Sequence, residues 1–170
     1  MKKILILLMM ASITMTSQAQ EVFKVIYESS NKTLNDPKED VNVRKIALFK
    51  VDALTYLNTK ALEEMGDSTR DITTEVMARL IAQRDSQAYY MYDYVNLLMT
   101  EFARANNKKE KSNIIKLFHD TSITNPLYNE PDRNLVMAYA NREDFLTQFS
   151  LDTDWIKACA EVRRKLRERQ

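Results

Sequence analysis

The chain has 170 residues, with 25 Lys and Arg against 24 Asp and Glu and a formal net charge of +1. It therefore carries no overall basic field to recruit nucleic acid. Its one cysteine excludes an intrachain disulfide, and one glycine with three prolines is too few for the positive-φ turns of a hairpin-rich sheet, so helices held by packing are expected.

The opening, MKKILILLMMASITMTSQAQ, reads as a targeting segment. Lys2 and Lys3 precede an apolar run from Ile4 to Met10 that fades through Ser12, Thr14 and Thr16. Ser17-Gln18-Ala19 then supplies the small residues a signal peptidase reads. Cleavage is expected between Ala19 and Gln20. That would deliver residues 20–170 to the periplasm or exterior of a bacterium as a single all-helical domain. The apolar run is shorter than the ~20 residues a membrane span needs, so no transmembrane segment is expected after cleavage. Loss of Lys2 and Lys3 leaves 23 basic and 24 acidic residues, a net charge of −1.

The first predicted helix covers Glu21 to about Ser30, with Val22, Phe23, Ile26 and Tyr27 on its buried side. Asp36-Pro37-Lys38-Glu39 has the chemistry of a helix start, with Asp36 as N-cap and proline at the first helical position. The second helix runs from there to Met65 on the periodicity of Val43, Ile46, Ala47, Leu54, Leu57, Ala61 and Leu62, and Gly66 ends it. Ser68-Thr69-Arg70-Asp71 opens the longest helix, about Thr69 to Asn106. The charged turn NNKKEK follows, then a shorter helix from Lys111 to His119. Asp120 to Asp132 is an irregular stretch, of the length that often serves function. Short helices are predicted at Arg133 to Ala140 and Arg142 to Phe149. A last one spans Leu151 to Arg167, capped by Ser150 or Asp152.

The fold class expected is all-α: an irregular bundle of five to seven helices around one long central helix. That helix carries a broad apolar stripe from Met77 through Met91, Val95 and Leu98 to Phe102. A second apolar arc holds Ile72, Val76, Tyr90, Tyr94 and Leu97. The tyrosines of YYMYDY are thus divided: Tyr92 lies on the edge of the main stripe, Tyr90 and Tyr94 on the second arc, and Tyr89 on the polar side.

Four residues are candidates for a ligand site. Tyr90 and Tyr94, one helical turn apart, could line an aromatic groove. His119 is the only histidine and closes a helix ahead of the proline-bearing loop. Tyr128 sits in that loop. No catalytic residue is assigned. Neither HExxH nor zinc-type Cys/His spacing is present, so no metal and no cofactor is expected. Cys159, four residues after Trp155 and between two alanines, shares the tryptophan's helix face and reads as a buried apolar residue.

The leading functional expectation is a non-enzymatic binding or interaction module, with another protein or a cell-envelope ligand as partner and no nucleic acid. One alternative is a small hydrolase dependent on carboxylates or His119. The other is a structural subunit forming a homodimer through an apolar helix face.

Overall fold

The computed structural model describes residues 22–67, 69 and 71–169; the expected signal peptide and its cleavage point lie outside them. Among the described residues there are six helices and no strand. They are α1 (22–35), α2 (Val41–Met65), α3 (Thr74–Arg104), α4 (Lys108–Ile123), α5 (Arg133–Val136) and α6 (Trp155–Arg167). The expected all-α bundle around one long helix is the architecture that forms. α3 lies at its centre and packs against α2, α4 and α6. No helix among the described residues is long and apolar enough to cross a membrane.

Helix boundaries follow the capping side chains, and several differ from those predicted. α1 continues to residue 35, so Asp36-Pro37 becomes the turn between two helices. Asp36 accepts from the Lys38 amide at 2.9 Å, and Asp40 caps α2 by accepting from the Asn42 amide at 2.8 Å. Arg44 reaches back from α2 and donates to the Leu34 carbonyl at 2.9 Å, covering the end of α1. Gly66 does end α2, but in a right-handed conformation (φ −88°, ψ −1°). Thr73, not Thr69, caps α3 by accepting from the Val76 amide; Ser68 lies outside the described residues.

The predicted charged turn NNKKEK is mostly the first turn of α4. Asn107 accepts from the Glu110 amide at 2.9 Å, and the Glu110 carboxylate accepts from the Asn106 amide at 2.8 Å, a reciprocal cap. His119 therefore lies inside α4, not at its end.

The largest correction concerns residues 137–154. The helix predicted at Arg142 to Phe149 does not form, and Arg133 to Ala140 shrinks to the four residues of α5. Phe145, Thr147 and Phe149 are buried while Leu146 and Gln148 between them are less so. That alternation suits an extended chain rather than a helix. Tyr139, at φ 58°, turns the chain there. Its hydroxyl donates to Asp52 on α2 at 2.5 Å, and its ring stacks on Phe145 with centroids 4.2 Å apart.

Backbone groups left without a helix are taken up by side chains. Asp152, predicted as a cap of α6, instead accepts from the amides of Tyr128 (2.7 Å) and Glu130 (2.8 Å). α6 is capped by Asp154, which accepts from the Lys157 amide at 3.2 Å. Isolated bridges pair Pro126 with Thr153 and Met137 with Ser150. Ser122, at the end of α4, accepts from the Ser150 amide at 2.9 Å and shares a 2.7 Å hydrogen bond with Thr153. From α3, buried Gln87 donates to the Asp154 carboxylate at 3.1 Å and accepts from the Trp155 amide at 2.7 Å.

These bonds position the aromatic core. Tyr94 is fully buried and meets Phe118, Phe149 and Trp155 edge-on, with centroids 5.0, 5.4 and 5.5 Å apart. Phe49 of α2 completes the cluster against Phe149 and Trp155. Such edge-to-face pairs add stabilisation beyond the burial of their area.

Gln87→Leu keeps the side-chain bulk but leaves the Trp155 amide without its acceptor and Asp154 without its α3 donor. The expected loss is about 2–3 kcal/mol, read as a lower urea midpoint with the slope unchanged. A loss below about 0.5 kcal/mol would contradict this role for Gln87.

Candidate functional site

Of the concave surfaces that border α3, one lies toward α6 and another toward α1 and α2. The first lies between α3 and α6 and encloses about 420 Å³, lined by Tyr89, Tyr90, Asp93, Ile156, Cys159, Ala160 and Arg163. Its polar groups satisfy one another. Arg163 donates to the Asp93 carboxylate at 2.6 Å and to the Cys159 sulfur at 3.4 Å, and the thiol donates to Asp93 at 3.2 Å. Burial pushes the Cys159 thiol above its ordinary range, which keeps it protonated and poorly nucleophilic. It is buried, as its spacing from Trp155 predicts.

The second surface, between α1, α2 and α3, encloses about 390 Å³. Ser29, Ser30 and Thr33 of α1 form one wall. Val43, Ile46 and Ala47 of α2, with Met99 of α3, supply aliphatic surface. Lys50 and Tyr92 close it, the Lys50 ammonium lying 4.5 Å from the centroid of the Tyr92 ring.

Lys50 has no carboxylate or other hydrogen-bond acceptor among the described residues, and burial lowers its pKa from the ordinary value. The aromatic face compensates only a part of the desolvation of an ammonium. The hydroxyls of Ser30 and Thr33 likewise engage no partner among the described residues, whereas Ser29 donates to the Ile26 carbonyl at 3.1 Å. Three donors without acceptors thus border one apolar groove.

The four residues singled out from sequence occupy different environments. Tyr90 is half-buried in the α3–α6 cleft, edge-on to Tyr89 at 5.5 Å. Tyr94 has no exposed surface, and its hydroxyl donates to the Phe118 carbonyl at 2.6 Å. The expected Tyr90–Tyr94 groove is therefore not presented to solvent; their one-turn spacing places one ring at a cleft and the other in the core. His119 lies beside Asp120, with Nδ1 3.4 Å from the carboxylate. That carboxylate is held by Lys116 at 2.7 Å, which lowers its pKa.

Tyr128 is half-buried against Tyr56, centroids 6.3 Å apart. Burial, with Glu64 and Asp152 nearby, pushes its hydroxyl up to about 12, so it stays neutral. Its loop is fastened to α2 by the 2.7 Å ion pair between Lys60 and Glu130. Among the described residues, no group of three or more His, Cys, Asp and Glu is arranged to hold a metal ion.

Lys50 escaped the sequence reading, although a signal was present. It falls four residues before Leu54, three after Ala47 and four after Ile46, on the apolar stripe of α2. A lysine at that register is turned toward the interior.

The chain is a six-helix all-α bundle by its described residues. No family model matches it, and neither the curated proteins nor the solved structures contain a match.

A Lys50 pKa below its unfolded value means that the protonated amine costs stability at neutral pH. That cost is relieved as the pH rises through the folded value toward 10.5. Lys50→Met, similar in length and uncharged, is therefore expected to raise stability near neutral pH by about 1 kcal/mol. An equal or lower urea midpoint for the variant would contradict this placement of the ammonium.

Proposed function

We propose that this protein is a non-enzymatic binding module acting outside the cytoplasm, and that the groove between α1, α2 and α3 is its ligand site. One observation carries the reading: Lys50, Ser30 and Thr33 border an apolar groove with donors that no group among the described residues accepts. Ligand sites commonly combine apolar walls with a few polar groups that fix orientation. A charge held against apolar surface without a partner is the kind of local cost that marks a functional position. The export of the chain rests on Lys2, Lys3, the apolar run and Ser17-Gln18-Ala19.

The hydrolase alternative draws less support. His119 is paired with an Asp120 that Lys116 already holds. Asp152 and Asp154 are committed to backbone amides of the fold. General acid–base work needs such a group free to meet a substrate proton.

The test uses the exported chain, whose mass is expected to place its first residue at Gln20. Titration with 1-anilinonaphthalene-8-sulfonate, an anionic apolar fluorophore, is expected to give saturable binding at one site on the folded protein. Val43 is 42% exposed at the groove wall, so Val43→Trp obstructs the groove without entering the core. It is expected to abolish that binding and leave the far-UV circular dichroism unchanged. Non-saturable binding, or binding indifferent to Val43→Trp, would contradict the groove as the site.

A further inference from the structure

We infer that the ligand of the α1–α2–α3 groove is a monocarboxylate on a short aliphatic chain; this rests on the groove being the binding site. The chemistry of the lining sets the class. Among the described residues, Lys50 is the one cation in the groove wall, and no carboxylate lines it. A single negative charge neutralises Lys50, whereas a dianion would leave excess charge against apolar surface.

The donors present are one ammonium and the hydroxyls of Ser30 and Thr33. Among the described residues, no arginine fork lines the groove to hold a phosphate or sulfate by paired parallel bonds. A carboxylate brings two oxygens that can accept from these donors.

The rest of the ligand follows from the remaining surface. Val43, Ile46, Ala47 and Met99 are aliphatic, and methionine adapts its shape to a flexible chain. The aromatic ring of the groove, Tyr92, already meets the Lys50 ammonium on one face, so the aliphatic side chains supply most of the apolar wall. The volume of about 390 Å³ stands near the small end of ligand sites, roughly 300–1,000 Å³, and so favours a short chain.

Calorimetric titration of the folded chain with octanoate, 1-octanol and inorganic phosphate, at neutral pH and low salt, separates the parts of this inference. Octanoate is expected to bind at one site, with 1-octanol at least about tenfold weaker and phosphate not detected. Lys50→Met is expected to weaken octanoate by about tenfold or more while leaving 1-octanol unchanged, and Thr33→Val to weaken octanoate several-fold.

Octanol binding as tightly as octanoate would overturn the charge requirement, and phosphate binding as tightly would overturn the aliphatic one. No octanoate binding, in a chain that still holds the fluorophore in a Val43-dependent way, would overturn the ligand class and leave the groove standing. Loss of both signals would overturn the groove as well. Because Lys50→Met is expected to be the more stable protein, a retained fold with retained octanoate affinity would also count against the inference.

Discussion

Gln87 joins the two halves of the interior with one side chain. Its amide nitrogen holds the carboxylate that caps α6, and its amide oxygen holds the first amide of that helix. Trp155 is thereby set against Tyr94 and Phe149. The governing constraint is that a buried amide or carbonyl must have a partner. A stretch that does not form a helix must borrow partners from elsewhere. Here Asp152, Ser122 and Gln87 provide them, which is why an irregular segment can contribute Phe149 to the core.

The groove between α1, α2 and α3 holds an ammonium with no ion-pair partner among the described residues. Most polar side chains that enter the interior are consumed by a specific bond, including the Asp93–Arg163–Cys159 cluster of the opposite cleft. Lys50 is partly buried on the apolar stripe of α2 and meets only a ring face. Ser30 is 5% exposed, and no described residue accepts from its hydroxyl. Donors left open along a groove wall are placed to receive acceptors from outside.

The all-helical class and the central place of α3 were legible in the sequence because long amphipathic periods and scarce glycine are local signals. Periodicity also recovered α2 to Met65. What failed was whatever depended on distant partners. Asp152 looked like a cap because it precedes an apolar run, but its acceptors' work is done for Tyr128 and Glu130. The cap itself is Asp154, joined to Gln87 across 67 residues. Tyr94 carried the same ambiguity: a helical wheel gives direction but not depth, and only the packing of α4 and α6 decides that its ring is interior. Members of both apolar arcs of α3, Met91 and Val95 from one and Tyr94 from the other, enter one buried core, and Gln87, buried beside them, is a polar member that periodicity alone treats as surface. Lys50 was hidden for the converse reason, since a lysine is ordinarily assigned to solvent whatever its register.

The claim that Lys50 stands desolvated and without a counterion has a direct measurement. In the ligand-free protein, the carbon-13 shift of the Lys50 ε-carbon followed against pH gives the titration midpoint of its amine. A midpoint below the ordinary 10.5 agrees with a partly buried, unpaired ammonium. A midpoint at or above 10.5 would mean that the amine has water or an anion as its partner, and would contradict the claim.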